Sequence, residues 1–205
     1  MLATSRLLND FKELVRDPPL NFRAAFEPCN KLLWHFIFVG NKDTPFEGGY
    51  YYGQIKFDAD FPFKPPSYKM CTPSGRFTIN QKICISNSSY HKENWNPLWT
   101  AGALINGFIQ LFHDITQKHF IGACLNQSNE MYKKNAGQST LKLLGLLEKK
   151  SEIKELFSDI VVQIRSELNG AKPSNRLPFS AEHLEWKKQQ ALKKVHCNKD
   201  FDSDY

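Results

Sequence analysis

The residue with the clearest chemical potential is Cys84, held between two isoleucines as Ile83-Cys84-Ile85. A turn-rich stretch from Thr72 precedes it, and a polar run ending in Trp95-Asn96-Pro97-Leu98-Trp99 follows. A short apolar fragment carrying one thiol between loops rich in Gly, Asn and Ser suits a nucleophile on a rigid support beside an open groove. The competing reading is a buried structural thiol, the commoner fate of a lone cysteine. His91, seven residues on, carries a neutral imidazole able to take a proton from an incoming nucleophile, or is a surface histidine. A thiol near its ordinary pKa of about 8.5 is already partly ionised at neutral pH, so Cys84 needs no dedicated base to attack.

The elements around this stretch change character in chain order. Leu7, Leu8, Phe11, Leu14 and Val15 recur at helical spacing, with Thr4 or Ser5 as cap and Asp17-Pro18-Pro19 as stop, leaving Arg6, Lys12, Glu13 and Arg16 in water. A period of two then predicts strands over Phe22–Glu27, Leu32–Val39, Tyr50–Phe57 and Ser67–Met70, joined by Gly- and Asn-containing turns into an antiparallel meander. The prolines of Phe61-Pro62-Phe63-Lys64-Pro65-Pro66 exclude a central strand and predict a stiff surface loop that displays its aromatics. Beyond Cys84, Thr100 caps a largely apolar helix, Ser139 or Thr140 opens another, and Ser151 opens a longer one that Gly170 ends. A basic helix from Ser180 to about Val195 and a frayed acidic tail close the chain. The order predicts an α+β fold, a four-stranded meander backed by helices with extra C-terminal helices.

The 205 residues suit one well-buried domain, and 41% hydrophobic with 23% charged residues is ordinary for a soluble protein. No run of apolar residues is long enough to span a membrane. The five cysteines (Cys29, Cys71, Cys84, Cys124, Cys197) form no metal-ligand spacing, so no metal is expected, and they read as reduced thiols. A net charge of +6 suits an acidic partner surface. Scattered basic residues, with aromatics inside strand patterns, argue against nucleic acid.

These motifs together resemble the ubiquitin-conjugating enzymes. Tyr50 to Pro66, the Cys84 segment and Trp95-Asn96-Pro97 match the family's third strand, its proline-rich loop, its active-site stretch and the tryptophan after it. Thr72-Pro73-Ser74-Gly75-Arg76-Phe77, Cys84-Ile85-Ser86 and Tyr90-His91 resemble the endoplasmic-reticulum-associated J branch, whose members end in a membrane anchor that this sequence does not show. Two features depart from the pattern. Ser74 stands where the family has an Asn held to stabilise the oxyanion, and residues from about 116 to 175 resemble no part of the branch.

The resemblance implies residues 1–115 as catalytic core, 116–176 as helical insertion, and 177–205 as a C-terminal basic helix and tail. It implies that Cys84 accepts ubiquitin as a thioester from an activating enzyme and passes it, with a RING-type ligase, to a Lys, Ser or Thr of a protein substrate. Asn80 and Ser74 are the candidate oxyanion donors, and His91 is a candidate base for hydroxyl substrates. Phe63, Pro97 and Leu98 would bind the ligase, and Arg6 and Lys12 the activating enzyme. No cofactor is implied, ATP being consumed upstream. The location implied is cytoplasmic, on the cytosolic face of the endoplasmic reticulum, or nuclear, in its associated degradation. The alternatives are a catalytically weak ubiquitin-binding variant, a conjugating enzyme for another ubiquitin-like modifier, and a Cys-His protease, for which no orienting Asn or Asp can be placed.

Overall fold

The computed structural model describes residues 2–83, 95–115, 128–149, 151–172, 174 and 177. Helix α1 (Leu2–Arg16) leads into strands β1 (Phe22–Glu27), β2 (Asn30–Val39), β3 (Tyr50–Lys56), β4 (Ser67–Met70) and the two-residue β5 (Lys82–Ile83). Helices α2 (Ala101–His113), α3 (Asn129–Lys149), α4 (Ser151–Leu156) and α5 (Ser158–Leu168) follow. The sheet order is β1-β2-β3-β4-β5, each neighbouring pair antiparallel. The expected four-strand meander is present, and β5 extends its far edge.

Alternation along the strands sends two sets of side chains to two faces. On the first face Trp34, Phe36 and Phe38 of β2, Tyr51 and Ile55 of β3 and Tyr68 of β4 meet α1 and α2. Phe11 packs on Phe26 and Trp34 with centroids 4.8 and 5.8 Å apart, and Phe108 of α2 packs on Phe36 and Tyr68 at 5.5 and 5.3 Å. Helix α2 buries Ala101, Leu104, Ile105, Phe108, Ile109 and Phe112. Each of its large side chains contributes roughly 1.5–3 kcal/mol by leaving water, which makes α2 the anchor of this face. Gly53 is required there, because a Cβ would lie 2.5 Å from Phe36 Cζ.

The second face is covered as well. Arg23, Ala25, His35, Ile37, Val39 and Tyr52 point away from α2 and are all buried. Ile153 and Leu156 of α4, Phe157 at the junction, and Ile160 and Ile164 of α5 turn inward, so these helices pack on the body of the protein. Arg23 Nη1 donates to Asp159 Oδ2 of α5 at 2.8 Å, and its Nε donates to Leu177 O at 2.7 Å. Tyr50 OH donates to Glu167 Oε1 at 2.8 Å, and the same oxygen accepts from Ser174 N at 3.0 Å. The sheet is therefore sandwiched between two helical layers, and β2 reads as a near-continuous apolar run for that reason.

Several local expectations are corrected. Thr4 and Ser5 lie inside α1, which begins at Leu2. Ser139 and Thr140 lie in the middle of α3, because their hydroxyls serve the sheet. Ser139 Oγ donates to Tyr50 O at 2.7 Å, and Thr140 Oγ1 accepts from Tyr50 N at 3.0 Å, satisfying the edge of β3 beyond the reach of β4. The single helix expected from Ser151 is broken at Phe157, whose φ of −138° leaves the helical region. Cys29, in the turn between β1 and β2, is disulfide-bonded, so the expectation of reduced thiols fails there. Cys71 is buried and forms no disulfide. The basic helix expected over Ser180–Val195 lies outside the described residues.

Candidate active site

Cys84 and His91 lie outside the described residues, so the structure bears on the chain that delivers them. Cys84 is the residue after β5. The segment from Thr72 to Ile83 loops out from β4 and returns to pair with it, Tyr68 opposite Ile83 and Lys69 opposite Lys82. Thr72 Oγ1 accepts from Tyr52 N at 3.0 Å and lies 2.8 Å from Ser139 Oγ, to which its own hydroxyl proton is left to donate, fixing the start of the loop to β3 and α3. Ser74 Oγ accepts from Arg76 N and Phe77 N, both at 3.1 Å. Arg76 is fully buried and donates from Nη2 to Asp114 O at 2.7 Å, tying the loop to the end of α2. Asn80 N donates to Met70 O at 2.7 Å and turns the chain back into β5.

The two candidate donors thus sit in different environments. Ser74 is fully buried and its oxygen holds a turn, a use of Ser that the sequence position shares with any ST-turn. Its side chain is enclosed, with its oxygen taken up by the two N–H groups of the turn. Asn80 is exposed, with φ of 61°, the left-handed region in which Asn is the most tolerated residue after Gly. A conformation that Gly would adopt more cheaply is occupied by a side chain with two amide donors.

The loops expected to meet a ligase are joined. Trp95 Nε1 donates to Pro62 O at 2.7 Å, and Trp95 packs on Phe61 and Trp99 at 6.2 and 5.6 Å. Of the two aromatics in the proline-rich loop, Phe61 is buried and anchors it, while Phe63 is 67% exposed. Pro97 is exposed and Leu98 is 78% exposed. Phe63, Pro97 and Leu98 are therefore apolar side chains held in water on two stiff, tethered loops.

Arg6 and Lys12 divide. Lys12 is exposed, whereas Arg6 is half-buried and donates from Nε to Asp10 Oδ1 at 3.0 Å and from Nη2 to Leu98 O at 3.2 Å. Asp10 in turn accepts from Ala101 N at 2.8 Å, capping α2 from another helix. Burial raises the Asp10 carboxyl above its ordinary value, and the Ala101 N–H and Arg6 oppose that rise. Arg6 reads in the sequence only as a surface charge and Asp10 gives no signal taken up there, yet together they connect α1, the Leu98 loop and the start of α2. The sequence signal that could have found Asp10 is its place on the apolar stripe of α1, between Leu7 and Phe11.

The ubiquitin-conjugating enzyme family matches residues 6–140. The chain belongs to the ubiquitin-conjugating enzyme family. It is 40% identical over 109 residues to the probable ubiquitin-conjugating enzyme E2 33 of Arabidopsis thaliana, covering 53% of this chain and 45% of that protein. It is 36% identical over 163 residues to ubiquitin-conjugating enzyme E2 J2 of Mus musculus, covering 80% of this chain and 60% of that protein. The human E2 J2 is 42% identical over 107 residues, 52% of this chain and 41% of that protein. The J-branch likeness is thus shown, and the matched stretches span about half the length of these relatives. The solved structure of human ubiquitin-conjugating enzyme E2 G1 matches with a TM-score of 0.48 at 24% identity, covering 55% of this chain and 95% of that chain. Among the described residues no helix is long and apolar enough to cross a membrane.

Proposed function

We propose that the chain accepts ubiquitin from an activating enzyme as a thioester on Cys84 and passes it, with a RING-type ligase, to a Lys, Ser or Thr of a protein substrate. The observation that carries this reading is the family match over residues 6–140, which contains Cys84, together with a β4–β5 loop fastened at Thr72, Ser74, Arg76 and Asn80 immediately before it. In the first step the Cys84 thiolate attacks the carbonyl carbon of the activating enzyme's thioester, a new C–S bond forms, and the enzyme's own thiolate leaves. In the second, an amine attacks the Cys84 thioester, the tetrahedral oxyanion collapses, and the Cys84 thiolate is expelled.

Asn80 is the donor favoured for that oxyanion, since it is exposed four residues before Cys84 while Ser74 is buried in a turn. One well-aimed donor is worth about 3 kcal/mol where the reaction depends on it. His91 acts as base when the nucleophile is a hydroxyl, which needs deprotonation more than an amine does. Phe63, Pro97 and Leu98 form the ligase-binding patch, and Lys12 with the exposed part of Arg6 meets the acidic activating enzyme. No cofactor is needed by this chain, ATP being spent upstream. Residues 1–115 carry the chemistry, and helices α3, α4 and α5 of the 116–176 stretch supply the helical cover of the second sheet face. The J-branch likeness supports a place in the cytoplasm at the endoplasmic reticulum or in the nucleus.

Single-turnover discharge of the ubiquitin adduct onto free lysine tests the reading. The adduct should decay faster as lysine is raised, and Asn80→Ala should slow that decay. An adduct whose lifetime ignores lysine, serine and threonine alike contradicts transfer.

A further inference from the structure

Leu98 sits on the short loop between Trp95 and α2, and both of its own peptide groups are held. Its N–H donates to Asn96 Oδ1 at 3.0 Å, inside the loop, and its carbonyl accepts from Arg6 Nη2 of α1 at 3.2 Å. Arg6 holds that carbonyl at a fixed place only if its long side chain is itself fixed, since a free arginine spreads over many rotamers. Asp10 supplies the fixed point. Its Oδ1 accepts from Arg6 Nε at 3.0 Å, while its Oδ2 accepts from Ala101 N at 2.8 Å. One carboxylate thus fastens both the side chain that holds Leu98 O and the residue at which α2 begins.

Capping α2 does not by itself call for a buried acid. A single neutral acceptor satisfies Ala101 N, and Asn serves at helix starts as well as Asp does. Thr100 Oγ1 already accepts from Ala103 N at 3.2 Å. The Asp10 side chain is only 4% exposed, and enclosing a charge that a neutral group could replace is costly unless a partner compensates it. Arg6 is that partner, and the other bond it makes is to Leu98 O. We propose that Asp10 is a positioning residue for ligase-stimulated transfer: through Arg6 it sets the direction in which Leu98 is presented. This rests on the reading of Phe63, Pro97 and Leu98 as the ligase-binding patch. Phe63 lies on the other loop, whose anchor is the buried Phe61, so Asp10 governs the Leu98 half of the patch.

The test is single-turnover discharge of the preformed Cys84–ubiquitin adduct of the full chain onto lysine. The probe is whichever RING domain, from a panel of them, most accelerates the natural adduct. Asp10→Asn removes the charge and leaves one acceptor oxygen for two donors; Ala101 N, fixed by its backbone, keeps that oxygen and Arg6 is released. The variant should raise the RING-domain concentration needed for half-maximal acceleration about fivefold, toward the low end of coupling between contacting residues. Discharge without the RING domain should stay as in the natural chain, and so should the thermal midpoint. In nitrogen-15 spectra the Leu98 and Trp99 amides should shift in Asp10→Asn, and in the same direction in Arg6→Gln, which leaves the Ala101 cap intact. On an Arg6→Gln background, Asp10→Asn should move neither the half-maximal concentration nor those amides further, because the two residues act in series. An unchanged half-maximal concentration in Asp10→Asn, or full additivity of the two substitutions, overturns the positioning role. Equal slowing of discharge with and without the RING domain also overturns it, since that marks damage to the fold. Failure of the ligase reading looks different: no RING domain accelerates the natural adduct, and the role assigned to Asp10 falls with it, while the Leu98 and Trp99 shifts still report the tie through Arg6.

Discussion

Replacing Asp159 by Ala isolates the contact that clamps the α5 layer to the sheet. Arg23 is 1% exposed at its side chain and Asp159 18%, with 2.8 Å between Nη1 and Oδ2. The gross attraction at that distance and an effective dielectric of 20 is about 6 kcal/mol, most of which offsets the desolvation of the two groups. Burial pulls the Arg23 guanidinium below its ordinary value, and Asp159 opposes that pull. Deleting one partner of a buried pair costs about 3–5 kcal/mol, because the other charge is left uncompensated. Here Leu177 O still accepts from Arg23 Nε, and water reaches the Asp159 end, which places the cost near 3 kcal/mol. For a chain of this size that lowers the thermal midpoint by about 6–12 °C. Guanidinium unfolding followed by far-ultraviolet circular dichroism reads the change directly, with the slope preserved. The double variant Arg23→Met, Asp159→Leu should recover most of the loss, since apolar residues of similar volume replace such pairs at little cost. A cost under about 1 kcal/mol for Asp159→Ala, or a double variant no better than the single, would refute the view of this contact as a buried clamp.

Three further outcomes follow from the geometry. Asp10→Ala should cost about 1–2 kcal/mol in the same unfolding assay, because the Ala101 N–H at the start of α2 loses its acceptor. Asn80→Gly should leave stability within about 0.5 kcal/mol while Asn80→Val costs 1 kcal/mol or more, since only the former accepts φ of 61° without strain. His113 Nε2 accepts from Asn41 N at 2.9 Å while its Nδ1 faces Ile109 O at 2.7 Å, an arrangement that needs the neutral ring. Burial holds its pKa below the ordinary 6.5, so the unfolded chain takes up a proton first as pH falls, and stability should drop below pH 6.5 until the folded ring also protonates. Urea midpoints across that window should show the slope in the natural chain and lose it in His113→Gln, whose amide still accepts from Asn41.

Much of the fold was readable because the sheet's side chains obey a strict period. Phe22–Glu27 and Ser67–Met70 stand where alternation put them, and Thr100 caps α2 through its Oγ1 on Ala103 N at 3.2 Å. The failures share a physical cause, which is that the deciding partner lies far away in sequence. Ser139 and Thr140 have the composition of a helix cap, yet their partner is Tyr50, some ninety residues earlier, so α3 begins ten residues before them. The break at Phe157 escapes a periodicity reading because Ile153, Leu156, Ile160 and Ile164 keep their spacing across it. Strand β5 is too short to carry a pattern and exists because the loop from Thr72 folds back onto β4.

The candidate site was legible in its residue types and less so in their roles. Phe63 and Leu98 are displayed as a proline-stiffened loop requires, but Phe61 beside them is buried and serves as the loop's anchor. Ser74 and Asn80 could not be ranked from sequence, since both are small polar residues in a turn. Burial separates them, one holding N–H groups from within and the other held open in the left-handed region. Arg6 lies on a helix face that reads as solvated, and only the fold brings Leu98 O within its reach.

The central claim is that Cys84 carries ubiquitin as a thioester, and the direct measurement is intact mass with a non-reducing gel after incubation with activating enzyme, ATP and ubiquitin. The account predicts one ubiquitin per chain, released by thiol, absent in Cys84→Ala and converted in Cys84→Ser to an ester that thiol does not release. No adduct on the natural chain, or an adduct that survives in Cys84→Ala, would contradict it.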